Sequence, residues 1–427
     1  MSSTPDTAAE PLALRKNRPY TLLMAGRTTQ LVGSGIGSFA VPLIAYALTG
    51  SVAQAGTIAA IGQIGGLIMT LPTGVLADRA DRRKIILGAA AIGTLVWGWI
   101  AAAGVLGWLT GWQLAVALFV SSVIGTAVSS AEAAAIRYVV PVSQLPQAMS
   151  VVEGRGAVAS LLGGPVGGLL YSLGRMVPII SQAVGELAVL ISTFFIRVPL
   201  NDDRDGEPEH PLKSLAEGLR FCWGVPLFRA CIGLFAMVNL TVNALVIAIT
   251  LHLVQLHTTP FLIGLLDFVA GASTLIGSLF AGRLLNHVRV VVITISALVL
   301  LSIGMVIMAV VQQYPVFLIM LGVPMLLAPA LNAGLGGYVA AITPHNLQGR
   351  LSSVLSLCFL LSAPLSPVVG SQLLAHFGLG VTLWVLAIAL AVTTLLITFV
   401  RSLRRIGLPQ TWADDLISWP HGPTTQP

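Results

Sequence analysis

Twelve apolar runs, each long enough to cross a bilayer as a helix, constrain this chain more than any other feature of its sequence. About 20 apolar residues span the hydrocarbon core. Only 9% of the residues are charged, which excludes a soluble globular protein. A mean hydropathy of +0.91 also excludes an outer-membrane barrel, whose strands alternate in polarity. The predicted spans are 20–48, 55–77, 85–107, 113–135, 145–172, 176–197, 225–255, 261–284, 290–311, 315–342, 351–375 and 380–400.

A polar stretch divides these runs six and six. It begins with the acidic, proline-containing "NDDRDGEPEHP" and continues with "LKSLAEGLRFCW", whose leucines share one helical face. This part is either a short helix on the membrane surface or a solvated linker. We predict an all-α integral membrane protein with two six-helix bundles. Its predicted parts are an N-terminal tail (1–19), an N-terminal bundle (20–197), a linker (198–224), a C-terminal bundle (225–400) and a C-terminal tail (401–427).

Lysine and arginine indicate the orientation of these spans. If the N-terminus lies inside, nearly all basic residues fall in inner loops, the linker or the tails, and the outer loops hold only Arg175. The positive-inside rule therefore predicts that both termini are cytoplasmic and that the chain is a multi-pass protein of the plasma (inner) membrane. The net charge of +6 follows this placement, so no nucleic-acid partner is predicted. The three cysteines lack metal-site spacing, and we expect free thiols and no metal.

A cluster of charged residues lies within "TGVLADRADRRKIILG" (73–88), between the second and third spans. Arginines in such a loop anchor topology, but an inner loop needs no acid, so Asp78, one turn after Gly74, requires another explanation. A weaker copy, "AGRLLNHVR", follows the eighth span, where Gly282 and Asn286 match Gly74 and Asp78. Matching positions in two halves predict a duplicated, two-bundle transporter.

The first of these motifs resembles the hallmark of the major facilitator superfamily, G-x-L-A-D-R-x-G-R-R/K. Asp81 stands where that family usually has glycine, a variant of its bacterial drug- and siderophore-exporter-like branch. The stretches "SQLPQAMSVVEGRGAVASLLGGPVGGLLYSLGRMVP", "EGLRFCWGVPLFRA" and "ITPHNLQGRLSSV" are similar to the same branch. The resemblance covers essentially the whole chain and implies transport by alternating access.

The resemblance also implies a cytoplasmic gate. Asp78 would face the N-terminus of the eleventh span, where the helix dipole and unpaired N–H groups attract a carboxylate. Asn286 has no charge, so the second copy would be a looser contact. Most of the arginines would serve only as topology anchors. The predicted gate residues are Gly74, Asp78, Arg79, Arg82, Arg83, Gly282 and Asn286.

The fifth span contains a stripe of small residues that partly matches the family's exporter-associated motif, G-x8-G-x3-G-P-x2-G-G. Gly163, Gly167 and Gly168 keep glycine, but Pro165 is displaced by one position and two earlier glycines are replaced. Small residues also let helices approach closely in lipid. The stripe is therefore either an export signature or simple helix packing.

Polar residues recur at helical spacing on the first and seventh spans, which the resemblance places around the central cavity. Arg27, Gln30, Asn239 and Asn243 are the predicted substrate path. Interhelical hydrogen bonding is the alternative for such residues.

Ionisable groups inside spans are costly and are functional candidates. Arg27, Glu153 and Arg155 lie at similar depth and are predicted to form one buried charge cluster, which is either structural or switched by protonation.

Four carboxyl groups are candidates for proton coupling. A carboxyl removed from water holds its proton more tightly, which a proton-coupled antiporter requires. Asp267 ranks first, because the resemblance places its span at the interface between halves. Glu186 is near the middle of the sixth span, and Glu132 could instead pair with Arg137; Glu153 completes the set.

No G-x4-G-K-S/T loop is present, so ATP is not the predicted energy source, and no cofactor is expected besides the proton motive force.

The leading prediction is proton-coupled efflux of a small, partly hydrophobic organic compound, such as a drug, siderophore or secondary metabolite. Proton-coupled uptake of a small metabolite is the alternative. Arg27, as the clearest central charge, favours neutral or anionic substrates. A membrane-embedded enzyme is disfavoured, because the seven histidines are scattered and no H-E-x-x-H occurs. We expect a monomer.

Overall fold

The structure is entirely helical over the residues that it describes. It is a computed structural model that describes residues 14–79, 81–196, 220–343, 348–400, 406–410 and 412. The helices are α1 (Arg18–Thr49), α2 (Val52–Arg79), α3 (Arg82–Val105), α4 (Gly111–Val139), α5 (Leu145–Leu173), α6 (Val177–Phe194), α7 (Pro226–Gln255), α8 (Pro260–His287), α9 (Val290–Val311), α10 (Tyr314–Met325), α11 (Ala328–Ile342) and α12 (Gln348–Phe399). Most of the predicted linker and both distal tails lie outside the described residues, although residues 220–224 are helical.

Local sequence signals explain several helix ends. The Asn17 side chain accepts a hydrogen bond from the Tyr20 N–H and caps the start of α1. This helix ends at Gly50, whose φ of 63° is left-handed and suits glycine. Thr110 and Gln113 form a reciprocal capping box at the start of α4. These devices satisfy backbone groups that the helix itself leaves without partners.

Eleven stretches of the described residues are long and apolar enough to cross a membrane, and α10 and α11 together form one of them. The sequence predicts twelve spans, and the count differs at α12. This helix has 52 residues, a length of about 78 Å against a hydrocarbon core of about 30 Å. It is interrupted at Gly378, where φ is 76°, within the predicted gap between the eleventh and twelfth runs.

Large apolar side chains cover the outside of the molecule. Leu95, Leu173 and Leu279 are at least 70% exposed. Such a surface is incompatible with water and fits a lipid surrounding.

The helices pack as two groups, which we call the first group (α1–α6) and the second group (α7–α12). Most contacts lie within each group. Between the groups, α5 packs against α8, and α2 packs against α12.

The contact between the groups is tight at one end of the molecule. We call this the α1–α2 end, since the turn between those helices lies there. A Cβ built on Gly164 of α5 would lie 2.6 Å from the carbonyl oxygen of Gly264 on α8. A Cβ on Gly154 of α5 or Gly282 of α8, toward the opposite α2–α3 end, would meet nothing within 4 Å. The two helices therefore touch at the α1–α2 end and leave open space around these glycines farther along.

Candidate functional site

A cavity of about 790 Å³ lies between the two groups of helices. Its walls are largely apolar, with residues such as Val41, Leu118 and Leu360. The polar part of the lining includes Ser34, Ser38, Gln63, Gln182, Asn239 and Asn243. Size, position and composition suit an organic ligand that is mostly apolar.

Four polar side chains of this cavity donate hydrogen bonds to the backbone of their own helices. The hydroxyls of Ser34 and Ser38 donate to carbonyl oxygens of α1 at 2.9–3.0 Å. The amide nitrogens of Asn239 and Asn243 donate to carbonyl oxygens of α7 at 2.8–2.9 Å. These asparagines, which the sequence analysis assigned to the substrate path, line the cavity. Their amide nitrogens bond within their own helix rather than to a neighbouring one.

Arg27 and Gln30, the other two predicted path residues, are buried in a charge network outside the cavity lining. The Nε of Arg27 donates to Oε2 of Glu132 on α4 at 2.7 Å. Nη2 of Arg155 on α5 pairs with the other oxygen of the same carboxylate. The three side chains are 6–7% exposed, so one carboxylate joins two arginines from different helices in a buried site.

The structure corrects the predicted cluster of Arg27, Glu153 and Arg155. Both arginines are buried together, but their acid is Glu132, and Glu153 is exposed. Residues two apart on a helix point in nearly opposite directions. Because Arg155 faces α4, Glu153 faces away from it. Glu132 was predicted as a possible partner of Arg137, whose side chain lies outside the described residues.

The network continues from Arg27 to Glu186 through Gln30. Arginine has only donors, so the Gln30 atom that faces Arg27 is its oxygen. The amide nitrogen of Gln30 must then face Glu186, and it lies 2.8 Å from each carboxylate oxygen. Gln182 donates to the same carboxylate at 3.4 Å. Glu186 is therefore held as an acceptor between two amide donors.

Asp267 lies in a second cavity, of about 460 Å³, between α1, α5, α7 and α8. This second cavity adjoins the central one, because Ser38, Pro42, Val246 and Ile247 line both. Among the described residues, no side chain forms an ion pair or hydrogen bond with the Asp267 carboxyl.

The small-residue stripe of α5 packs in two directions. Gly163 and Gly167 face α1, where an added Cβ would lie 2.9–3.0 Å from backbone atoms. Gly164 and Gly168 face α8 at similarly short distances. Close packing thus accounts for all four glycines, and their contact with α8 joins the two groups of helices.

Part of the predicted gate lies outside the described residues. Gly74, Asp78 and Arg79 lie near the end of α2, but their side chains are not described, and neither is the predicted contact of Asp78. Gly282 and Asn286 are exposed near the end of α8.

The arginines at the start of α3 do more than anchor a loop. Arg82 is 7% exposed. Nη2 of Arg83 donates to the carbonyl oxygen of Phe194 at 3.1 Å, which binds the beginning of α3 to the last turn of α6. A cation near this C-terminal carbonyl also complements the helix dipole.

Asp81, the departure from the family motif, caps α3. Its Oδ1 accepts hydrogen bonds from the backbone N–H groups of Arg83 at 3.0 Å and Lys84 at 3.4 Å. Glycine could not supply this acceptor. An aspartate directly before a helical run is a known start signal, so the sequence contained the information.

Within the described part of the chain, no group of three or more His, Cys, Asp or Glu residues could hold a metal ion. Cys222 and Cys231 are buried.

Comparison with known proteins identifies related transporters. A family model described as Major Facilitator Superfamily matches residues 23–254 and 231–419. Macrolide efflux protein A of Streptococcus pyogenes is 25% identical over 318 residues, covering 70% of this chain and 74% of that protein. Multidrug efflux pump Tap of Mycobacterium tuberculosis is 23% identical over 412 residues, covering 93% and 97%.

Solved structures share the fold. An inward-facing, unoccupied bacterial homologue of the human lysosomal transporter Spinster aligns with a TM-score of 0.70 at 16% identity, covering 95% of this chain and 100% of that one. The nucleoside transporter NupG aligns with a TM-score of 0.71 at 12% identity, covering 92% and 100%.

Proposed function

The chain belongs to the Major Facilitator Superfamily, and from this premise we propose that it exports a small, partly hydrophobic organic compound in exchange for protons. The resemblance to this family, which was inferred from the charged motif at 73–88, is thereby confirmed. The family and the efflux relatives also confirm that the chain is a transporter rather than an enzyme, and a multi-pass protein of the plasma membrane.

The observation that carries the proposal is the large apolar cavity between the two groups of helices. These groups touch closely at Gly164 and Gly264 and leave space around Gly154 and Gly282. Movement of one group against the other around a fixed central site is the expected basis of alternating access. The direction of transport is supported by two relatives whose names describe efflux.

The proposed topology has twelve spans in two six-helix bundles, with both termini in the cytoplasm. Division of α12 at Gly378 would supply the twelfth span. The α2–α3 end, with Arg82, Arg83 and Lys84, would face the cytoplasm. We propose a monomer driven by the proton motive force, without a cofactor.

Asp267 and Glu186 are the stronger candidates for proton coupling. Glu132 is neutralised by two arginines, and Glu153 is exposed. Asp267 ranks first because it borders both groups and has no ionic partner among the described residues.

An accumulation screen tests this function. Cells with and without the gene are compared for their internal levels of macrolides, other antibiotics and siderophores. Export predicts lower levels in expressing cells, and proton release from acidified everted vesicles when the exported compound is added. Higher levels would replace the proposal with uptake. Unchanged levels with no proton flux would refute both directions for these compounds.

A further inference from the structure

This inference rests on the proposed transport function and adds the chemical class of its substrate. We propose that the cavity around Asp267 is a subsite for the positively charged group of an organic cation, whose apolar body occupies the adjoining central cavity.

The charges on the two cavities favour a cation. The sequence favours neutral or anionic substrates because Arg27 is the clearest central charge. In the structure Arg27 is bound to Glu132 at 2.7 Å and lines neither cavity. Asp267 is the sole charged side chain among the described residues that line them. The charge offered to a ligand is therefore negative.

Among the described residues, no side chain offers the Asp267 carboxylate an ion pair or a hydrogen bond. The polar side chains of the second cavity are the hydroxyls of Ser38, Ser160, Thr250 and Thr274. Ser38 and Thr274 donate to backbone carbonyls of their own helices. A carboxylate inside a membrane-spanning helix without a partner is costly, and either a proton or a cation removes that cost.

The geometry allows one ligand to occupy both cavities. Four residues of α1 and α7 line the two spaces in common, so the spaces adjoin. The central cavity supplies largely apolar walls, and the second cavity supplies the counter-ion. This combination matches an amphipathic cation better than a neutral or anionic compound.

A proton and the cation would compete for Asp267, because a protonated carboxyl carries no charge. In the part of the chain that the structure describes, no other titratable side chain lines this cavity. On the helices packed against α8, Arg155 pairs with Glu132, and the Tyr314 hydroxyl donates to the Leu262 carbonyl at 2.7 Å. His252 of α7 is outside the cavity lining. Cation affinity should therefore fall as pH is lowered, and this dependence should come from Asp267.

Equilibrium binding to the purified full-length protein in detergent tests the subsite. The probes are tetraphenylphosphonium and ethidium, both permanently charged, at pH 8 and pH 6. The variants are Asp267→Asn, which removes the charge at constant size, and Asp267→Glu, which keeps it. Glu153→Gln is the matched control, since it removes an exposed carboxylate from the packed neighbour α5. Size exclusion and thermal melting establish that each variant is folded.

We expect the wild type to bind at least one probe more weakly at pH 6 than at pH 8. Asp267→Asn should weaken binding at pH 8 at least tenfold and abolish its pH dependence. Asp267→Glu should retain most of the affinity, and Glu153→Gln should match the wild type. Wild-type affinity in Asp267→Asn, or no binding of either probe to the wild type, would overturn the subsite.

This assay is independent of transport, so the two proposals can fail separately. Binding that depends on Asp267, without export or proton flux in vesicles, would refute the proposed function and keep the subsite. If Asp267→Asn still exports, still releases protons and binds cations like the wild type, the subsite would be refuted and the proposed function would be kept.

Discussion

The two groups of helices treat the carboxyl groups inside their spans in opposite ways. In the first group, Glu132 lies between two arginines and Glu186 between two amide donors. In the second group, Asp267 has no ionic or hydrogen-bonding partner among the described residues. A carboxylate whose acceptor sites are filled contributes to the packing of its helices, whereas one without partners remains available to a ligand. The difference distinguishes Asp267 as the candidate acid for binding a ligand.

In the network of the first group, the donor and acceptor roles of the hydrogen bonds are also fixed. Arg27 can only donate, which turns the oxygen of Gln30 toward it and the nitrogen toward Glu186. Arg27 of α1 thus fixes the orientation of the Gln30 amide, and with it the donor that Glu186 of α6 receives. Loss of a member should affect its neighbours more than loss of an isolated acid would.

The largest expected effect comes from Glu132→Ala. This substitution leaves Arg27 and Arg155 as uncompensated buried charges, at a cost of about 3–5 kcal/mol of folding free energy. The measurement is thermal melting of the purified protein in detergent, together with folded yield from membranes. Glu153→Ala, which removes an exposed acid from α5, is the matched control and should melt like the wild type. Equal melting of both variants would show that the network is not structural.

The same residues show which parts of the charge network could be predicted from the sequence. The burial of Arg27 and Arg155 could be predicted, since charges within apolar runs must face other charges. Their partner could not, because the depth of a residue along a span does not reveal which side of the helix faces a neighbour. Glu132 and Glu153 are both acids near the right depth, and only the rotation of α4 and α5 distinguishes them.

Other features of the molecule also separate into those that the sequence could predict and those that it could not. The apolar runs and the duplicated motif were sufficient to predict a helical transporter, because bilayer thickness sets the length of a span. The sequence also marked the break at Gly378, as a gap between runs. The second cavity around Asp267 depends on where four helices diverge, and no local pattern encodes that.

A smaller effect is expected when the space around Glu186 is reduced. A Cβ on Gly93 of α3 would lie 2.8 Å from Oε2 of Glu186. Gly93→Ala should therefore strain the Gln30–Glu186 contact and destabilise the fold by about 1–3 kcal/mol. Gly98→Ala, in the same helix, meets nothing within 4 Å, and it should be neutral or slightly stabilising, since alanine favours helix over glycine by roughly 1 kcal/mol. Thermal melting of the two variants side by side is the measurement. If both lose equal stability, the position beside Glu186 has no special packing role.

The smallest effect is expected at Asp81, a carboxylate that also faces donors but does so in a partly exposed position. It accepts from two backbone N–H groups at the start of α3, and water can replace part of what it provides. Asp81→Ala should cost about 0.5–2 kcal/mol, the usual range for a lost N-cap. Asp81→Asn keeps an acceptor oxygen and should recover most of that loss.

Amide hydrogen exchange in the first turn of α3 is the direct readout, with faster exchange at Arg83 and Lys84 expected for alanine alone. Faster exchange in both variants would mean that the charge, rather than the acceptor, stabilises the helix start, and Asp81 would then resemble the charge-dependent acids of the first group.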